Sequence, residues 1–84
     1  MAIVVTTPEA LRQLDRLPAE VIARVEKLYE RLEKWPNVSG AKPLQGRLAR
    51  RWRLRTGDYR LQFRVEGEMI IVEKVGHRDK FYEA

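Results

Sequence analysis

Arginines alternate with other residues in two neighbouring segments of the second half of the chain. In residues 51–55 and 60–64 every second position is an arginine, except Gln62. A guanidinium group stays protonated, and its planar fork of N–H donors bonds two phosphate oxygens at once. The window 42–64 holds seven Arg, one Lys and a single acid, Asp58, for a net charge of +7. This pattern predicts a surface that binds a polyanion, with a merely solvated cationic face as the alternative.

The side chains that could move protons near these arginines are few. His77 is the one histidine of the sequence, and Lys80 and Tyr82 follow it closely. Without cysteine, a single histidine does not favour a zinc site, and Ser39 in a Gly/Pro-rich loop does not favour a serine triad. Arginines beside one base and one acid would suffice to cut RNA, where the ribose 2′-hydroxyl attacks the adjacent phosphate. A solvated turn around His77 is the alternative interpretation.

Length and composition restrict the class of protein. The 84 residues carry a net charge of +5, are 44% hydrophobic and contain no cysteine. We therefore expect one domain over residues 1–84, with one modest core and no disulfide. The longest apolar runs, 3–5 and 69–72, are far shorter than the roughly 20 residues of a membrane helix, and no signal peptide is visible. A soluble, cytoplasmic protein without a cofactor is expected.

The periodicity of apolar residues changes along the chain. Residues 3–6 predict a strand, and helical spacing then predicts two helices, over 7–17 and 18–34, that are separated at Pro18. After a Gly/Pro-rich loop, alternation predicts three strands, over 51–55, 59–65 and 68–75. We expect an α+β fold in the order β-α-α-β-β-β. Its two N-terminal helices would pack on one face of a mainly antiparallel four-stranded sheet.

Alternation also assigns the arginines to one face of this sheet. If Trp52 and Leu54 face the helices together with Leu61 and Phe63, the arginines of both strands share the opposite face. Like charges on neighbouring strands repel each other, and the window contains few carboxylates. A bound anion would compensate the repulsion on the predicted face. The face lacks the exposed aromatic side chains on which common single-stranded nucleic-acid-binding domains stack bases.

Three segments of the second half carry a recognisable pattern. They are K-P-L-Q-G at 42–46, W-R-L-R-T-G-D-Y-R-L at 52–61, and V-G-H-R at 75–78 followed by Tyr82. Together they resemble the RelE/ParE superfamily of bacterial toxins, and the predicted order of helices and strands fits that family. The resemblance implies a toxin that a cognate antitoxin neutralises.

The resemblance implies either of two activities. RelE-like members cut messenger RNA in the ribosomal A site by the 2′-hydroxyl route, whereas ParE-like members inhibit DNA gyrase. Carried over by position, the RelE-like site implies the catalytic residues Arg60, Arg78, His77 and Tyr82. It also implies phosphate contacts from Arg51 and Arg53. The predicted cationic face adds Arg55, Arg64 and Lys42 as candidates for binding RNA or the ribosome.

The sequence departs from the RelE-like pattern at two places. Positions 51 and 53 are often lysine in that family, but an arginine stays protonated and cannot act as a base. Proton transfer would therefore fall to His77 or Tyr82, and the segment joining Arg78 to Tyr82 is short. We expect a metal-independent endoribonuclease, an mRNA interferase, with ParE-like gyrase inhibition as the alternative. A plain nucleic-acid-binding module is the third hypothesis.

Overall fold

The structure is a computed structural model that describes residues 2–81. Its elements, in chain order, are β1 (Ile3–Thr6), α1 (Pro8–Asp15), α2 (Ala19–Leu32), β2 (Lys42–Pro43), a 3-10 turn (Gly46–Leu48), β3 (Arg51–Thr56), β4 (Tyr59–Glu66), β5 (Met69–His77) and α3 (Arg78–Phe81). In this part of the chain the strands form one five-stranded sheet in the order β1-β5-β4-β3-β2. β1 runs parallel to β5, and the other neighbours are antiparallel. The predicted α+β class is confirmed.

The additional strand, β2, lies in the segment that the sequence predicted as a loop. Lys42 pairs with Arg53, and Pro43 pairs with Trp52. Proline has no N–H donor, so within a sheet it fits an edge strand, and β2 is an edge. The sequence predicted four strands and missed β2, because a strand of two residues within a Gly/Pro-rich segment has no alternation to indicate it.

A threonine cap and two prolines set the starts of the two long helices. The Thr7 hydroxyl accepts a hydrogen bond from the Ala10 N–H and caps α1, with Pro8 in its first turn. Pro18 is extended and precedes α2 instead of opening it. Each helix begins one residue later and ends two residues earlier than predicted. The buried residues of α2 recur at helical spacing and form one apolar face: Val21, Val25, Leu28 and Leu32.

The core lies between these helices and one face of the sheet. Leu54, Leu61 and Phe63 are almost completely buried there, as are Ile70 and Val72. Three aromatic side chains pack at one end of the core, where the Trp35 ring meets Trp52 and Phe63 edge-on at centroid distances of 5.0 and 5.4 Å. The sheet face that points away from α1 and α2 is called the open face below.

A β-bulge interrupts the pairing of β4 with β5. Gln62 pairs with Lys74, but Phe63 pairs with Val72, so Glu73 has no residue opposite it. A bulge shifts the alternation of the strand by one residue. Val72 and Val75 therefore both point into the core, although they are three residues apart. The bulge fixes which face each later residue of β5 occupies.

The last part of β5 is contacted by the Gln13 side chain of α1 and by α3. Pairing with β1 ends at Thr6 and Val72, and beyond that point the Gln13 side-chain oxygen accepts the Val75 N–H at 2.9 Å. α3 lies where the sequence predicted a polar tail, and its Phe81 is buried beside Gly76. No helix among residues 2–81 is long and apolar enough to cross a membrane.

Candidate phosphate-binding surface

The five alternating arginines share the open face, as predicted. The register places Arg51 opposite Arg64 and Arg55 opposite Arg60, while Arg53 lies opposite Gln62. Their strand neighbours Leu54, Leu61 and Phe63 point into the core. We call Arg51, Arg53, Arg55, Arg60 and Arg64 the arginine surface. Lys42, which pairs with Arg53 on the edge strand, extends it.

Glu73, a carboxylate that the sequence analysis missed, lies within this surface. Its carboxylate accepts hydrogen bonds from Arg51 Nε at 2.8 Å and from Arg64 Nη1 at 2.6 Å. Burial alone would raise the pKa of Glu73, but the hydrogen bonds from Arg51 and Arg64 hold it below its usual range. The available signal was the alternation of Glu73 with the apolar Val72, which places the carboxylate on the open face.

Arg60 is held by the hairpin that joins β3 to β4. Its Nη1 donates to the carbonyl oxygens of Gly57 at 3.1 Å and Tyr59 at 3.3 Å. Its Nε is buried and has no hydrogen-bond partner within the described part of the chain. A buried N–H donor without an acceptor is costly, and a shift of the Arg60 side chain that brings Nε to an oxygen of a bound anion would remove that cost. This geometry makes Arg60 suitable for binding phosphate.

Arg78 lies at the same hairpin. Its backbone N–H donates to the Asp58 carbonyl at 2.7 Å, and its Nε lies 3.8 Å from an Asp58 carboxylate oxygen. The side chain is 57% exposed, so this ion pair is weak and can be exchanged. Gly57 accepts from Arg60 and Asp58 contacts Arg78, so one turn contacts both predicted phosphate ligands.

The other two predicted catalytic residues are not brought to this surface by the described structure. His77 pairs with Tyr59, and the two rings meet edge-on at 5.2 Å. Tyr59 packs against the core, so His77 points to the helix side of the sheet, away from Arg60. Its Nδ1 accepts the Asp79 N–H, which places the proton of the neutral ring on Nε2. Tyr82 lies outside the described residues.

A cleft of about 630 Å³ opens beside Glu73. Its lining is mixed in charge and includes Arg47, Arg51, Lys74, Lys80, Glu9 and Glu73. Across residues 2–81, no three His, Asp or Glu side chains gather in a way that could hold a metal ion. The surface therefore consists of a charge-compensated region around Glu73 and a cationic region around the β3–β4 hairpin.

Residues 4–82 match the family described as the ParE toxin of type II toxin–antitoxin systems, parDE. The chain belongs to this family, and the predicted membership of the RelE/ParE superfamily is confirmed.

Relatives and solved structures agree with this assignment. Toxin RelG of Mycobacterium tuberculosis is 35% identical over 79 residues, which cover 90% of each chain. The structure of the toxin–antitoxin complex RelBE2 from M. tuberculosis aligns with a TM-score of 0.80 and 29% identity, covering 92% of this chain and 98% of that one. The isolated E. coli RelE toxin aligns with a TM-score of 0.78 and 21% identity, covering 92% and 84%. This last likeness concerns the fold.

Proposed function

We propose that this protein is a toxin that cuts messenger RNA in the A site of the ribosome and is neutralised by a cognate antitoxin. The observation that carries the proposal is the Arg60 guanidinium. It lies on an open cationic face, fixed by two carbonyl oxygens, with a buried Nε that lacks a partner in the described chain. Such a preorganised donor stabilises charge as it develops on a phosphate.

The proposed reaction needs no added nucleophile. The 2′-oxygen of the ribose attacks the adjacent phosphorus and loses its proton to a base. The bond from phosphorus to the 5′-oxygen then breaks, and an acid protonates that oxygen. The products are a 2′,3′-cyclic phosphate and a 5′-hydroxyl. Arg60 and Arg78 would stabilise the additional negative charge of the pentacoordinate phosphorane.

The remaining roles follow from position. Arg51, Arg53, Arg55, Arg64 and Lys42 would contact phosphates of the message or the ribosome, since they share the open face or its edge. Tyr82 and His77 are the candidates for proton transfer. His77 lies on the helix side of the sheet, whereas a phosphate bound at Arg60 would lie on the open face. Tyr82 is therefore the stronger candidate for proton transfer.

The antitoxin would be an acidic segment that covers the open face. Two observations support this partner. Solved complexes such as RelBE2 show relatives with antitoxins, and apolar side chains lie exposed on β1 and β5 next to the arginines. These are Ile3, Val5 and Met69, of which Ile3 and Met69 face each other across the two strands. A segment that folds on binding could cover both the apolar and the cationic part.

The experiment is an assay of messenger-RNA integrity in a purified translation reaction, with and without ribosomes. It compares the wild type with Arg60→Ala and with the control Arg12→Ala, an exposed arginine of α1. Cleavage only with ribosomes, by the wild type and the control but not by Arg60→Ala, would support the proposal. Full activity of a folded Arg60→Ala variant would contradict it.

Inhibition of DNA gyrase is the second candidate function. The position of His77 favours it, because a toxin that does no chemistry needs no histidine beside Arg60. The family match, described as ParE toxin, is also consistent with it. Growth arrest with intact messages and an induced DNA-damage response would select this function, and the arginine surface would then bind a partner protein.

A further inference from the structure

We propose that Glu73 divides the arginine surface into a compensated half at Arg51 and Arg64 and an accessible half at Arg55 and Arg60, and so fixes the path of a bound RNA strand. This inference rests on the proposed function, since it concerns how the same face meets RNA. It adds the effect of the Glu73 carboxylate on where a polyanion binds this face.

The contacts of Glu73 occupy the donors that phosphate would use. Its two oxygens meet Arg51 side-on, at 2.8 Å from Nε and 3.5 Å from Nη2. Arg64 donates from Nη1 to the Glu73 carboxylate at 2.6 Å and from Nε to the Glu66 carboxylate at 3.0 Å. Phosphate and carboxylate oxygens compete for the same fork of N–H groups. A phosphate that used the Nε–Nη2 edge of Arg51 would have to displace a carboxylate that is itself 17% exposed.

The accessible half differs in its partners. Arg55 is exposed on β3, directly opposite Arg60. Arg60 bonds backbone carbonyls, which carry no net charge, and its Nε lacks an acceptor within residues 2–81. These two guanidiniums repel each other, and a phosphate between them would relieve that repulsion. The hairpin end of the face is therefore the part that attracts a polyanion.

The β-bulge is the reason why Glu73 can serve both arginines. Arg51 and Arg64 lie opposite each other on β3 and β4, and Glu73 is the residue of β5 that has no opposite partner in β4. The additional residue widens β5 locally, so the carboxylate reaches across Gln62 toward both guanidiniums.

The test is the affinity of the full chain for two polyanions, a fluorescein-labelled oligouridylate and heparin, measured by anisotropy and by competition over a range of salt. Glu73→Gln keeps the size of the side chain and removes its charge. We expect affinity for both polyanions to rise about tenfold. The slope of log affinity against log salt should steepen by about 0.7 for each additional phosphate contact on a single strand.

Two further variants separate this effect from net charge and from folding. Glu30→Gln on α2 changes the net charge equally but lies away from the open face, and it should raise affinity much less. Arg51→Gln should weaken binding more in the Glu73→Gln background than in the wild type, which is a coupling that a double-mutant cycle measures. Circular dichroism confirms that each variant is folded.

The outcomes are distinguishable. Unchanged or weaker binding of both polyanions by folded Glu73→Gln would overturn the inference, as would an equal gain from Glu30→Gln. The translation assay tests the proposed function separately, because a ribosome-dependent nuclease needs no affinity for a free oligouridylate. The wild type can therefore bind heparin but not the oligouridylate without contradicting the proposed function. Heparin then still tests Glu73, and a gain with Glu73→Gln supports the divided surface.

Discussion

Arg60 and His77 lie on adjacent strands, yet their side chains leave opposite faces of the sheet. Arg60 pairs with Gly76 on the open face, while the His77 ring packs edge-on against Tyr59 on the helix side. The bulge at Glu73 causes this separation. In a regular strand, alternation from the buried Val72 would place residue 77 on the same face as Arg60.

The first prediction concerns proton transfer in the proposed cleavage. Because His77 faces away from Arg60, we expect Tyr82→Phe to slow cleavage more than His77→Gln does. Loss of a general acid or base lowers the rate by about 10²- to 10⁴-fold. Single-turnover cleavage of a ribosome-bound message measures both variants. A larger loss with His77→Gln would show that the histidine reaches the phosphate after all.

Replacing Arg60 by lysine tests whether charge alone is sufficient. Arg60→Lys keeps the positive charge but cannot donate both to the carbonyls of Gly57 and Tyr59 and from Nε to a phosphate. A hydrogen bond to a charged group contributes about 1.5–3 kcal/mol, so we expect activity to fall by at least about tenfold. Wild-type toxicity of Arg60→Lys, in growth assays at matched expression, would show that only charge matters.

Gly57 and Gly67 form a matched pair for testing the hairpin. Both have φ of +59°, in the β3–β4 and β4–β5 turns respectively. Alanine at either position adopts a left-handed conformation that costs about 1–2 kcal/mol. Thermal unfolding should therefore show similar losses of stability. Only Gly57→Ala disturbs the carbonyl that holds Arg60, so toxicity should fall in that variant and persist in Gly67→Ala.

The sequence predicted the core and the face of the arginines because both follow from simple alternation. It missed features that depend on a single residue or on pairing across the sheet. Nothing local marks Glu73 as the bulged residue, since the bulge is defined by its register with Gln62 and Phe63. Lys42 and Pro43 form a strand only because β3 offers them an edge. The family resemblance supplied Arg78, but the side of the sheet that His77 faces depends on the bulge.

The stability of the protein should depend on Glu73 in mildly acidic solution. The folded state holds the pKa of Glu73 below its usual value of about 4.5, so its ionised form stabilises the fold at neutral pH. This contribution is lost as the pH falls through the folded-state pKa. The difference in unfolding free energy between the wild type and Glu73→Gln should therefore shrink between about pH 5 and pH 3. Urea titrations at each pH measure it.

A suitable control for the acid titration is Glu66→Gln. Glu66 also pairs with Arg64 but is 59% exposed, and solvent screens such a pair strongly. Its removal should change stability less at every pH. An equal effect of the two substitutions would show that the position of Glu73 between two arginines confers no special stability.

The parallel pairing of β1 with β5 affects the order in which the chain folds while the ribosome synthesises it. Residues 3–6 find their partners only at residues 69–72, so most of the chain must be synthesised before its first strand is paired. Contacts this distant in sequence form slowly and late. The interior strands β4 and β5 also arrive late, and they complete the core against helices made earlier. The nascent chain therefore carries its cationic residues on an unfinished sheet until residues 69–72 have been synthesised.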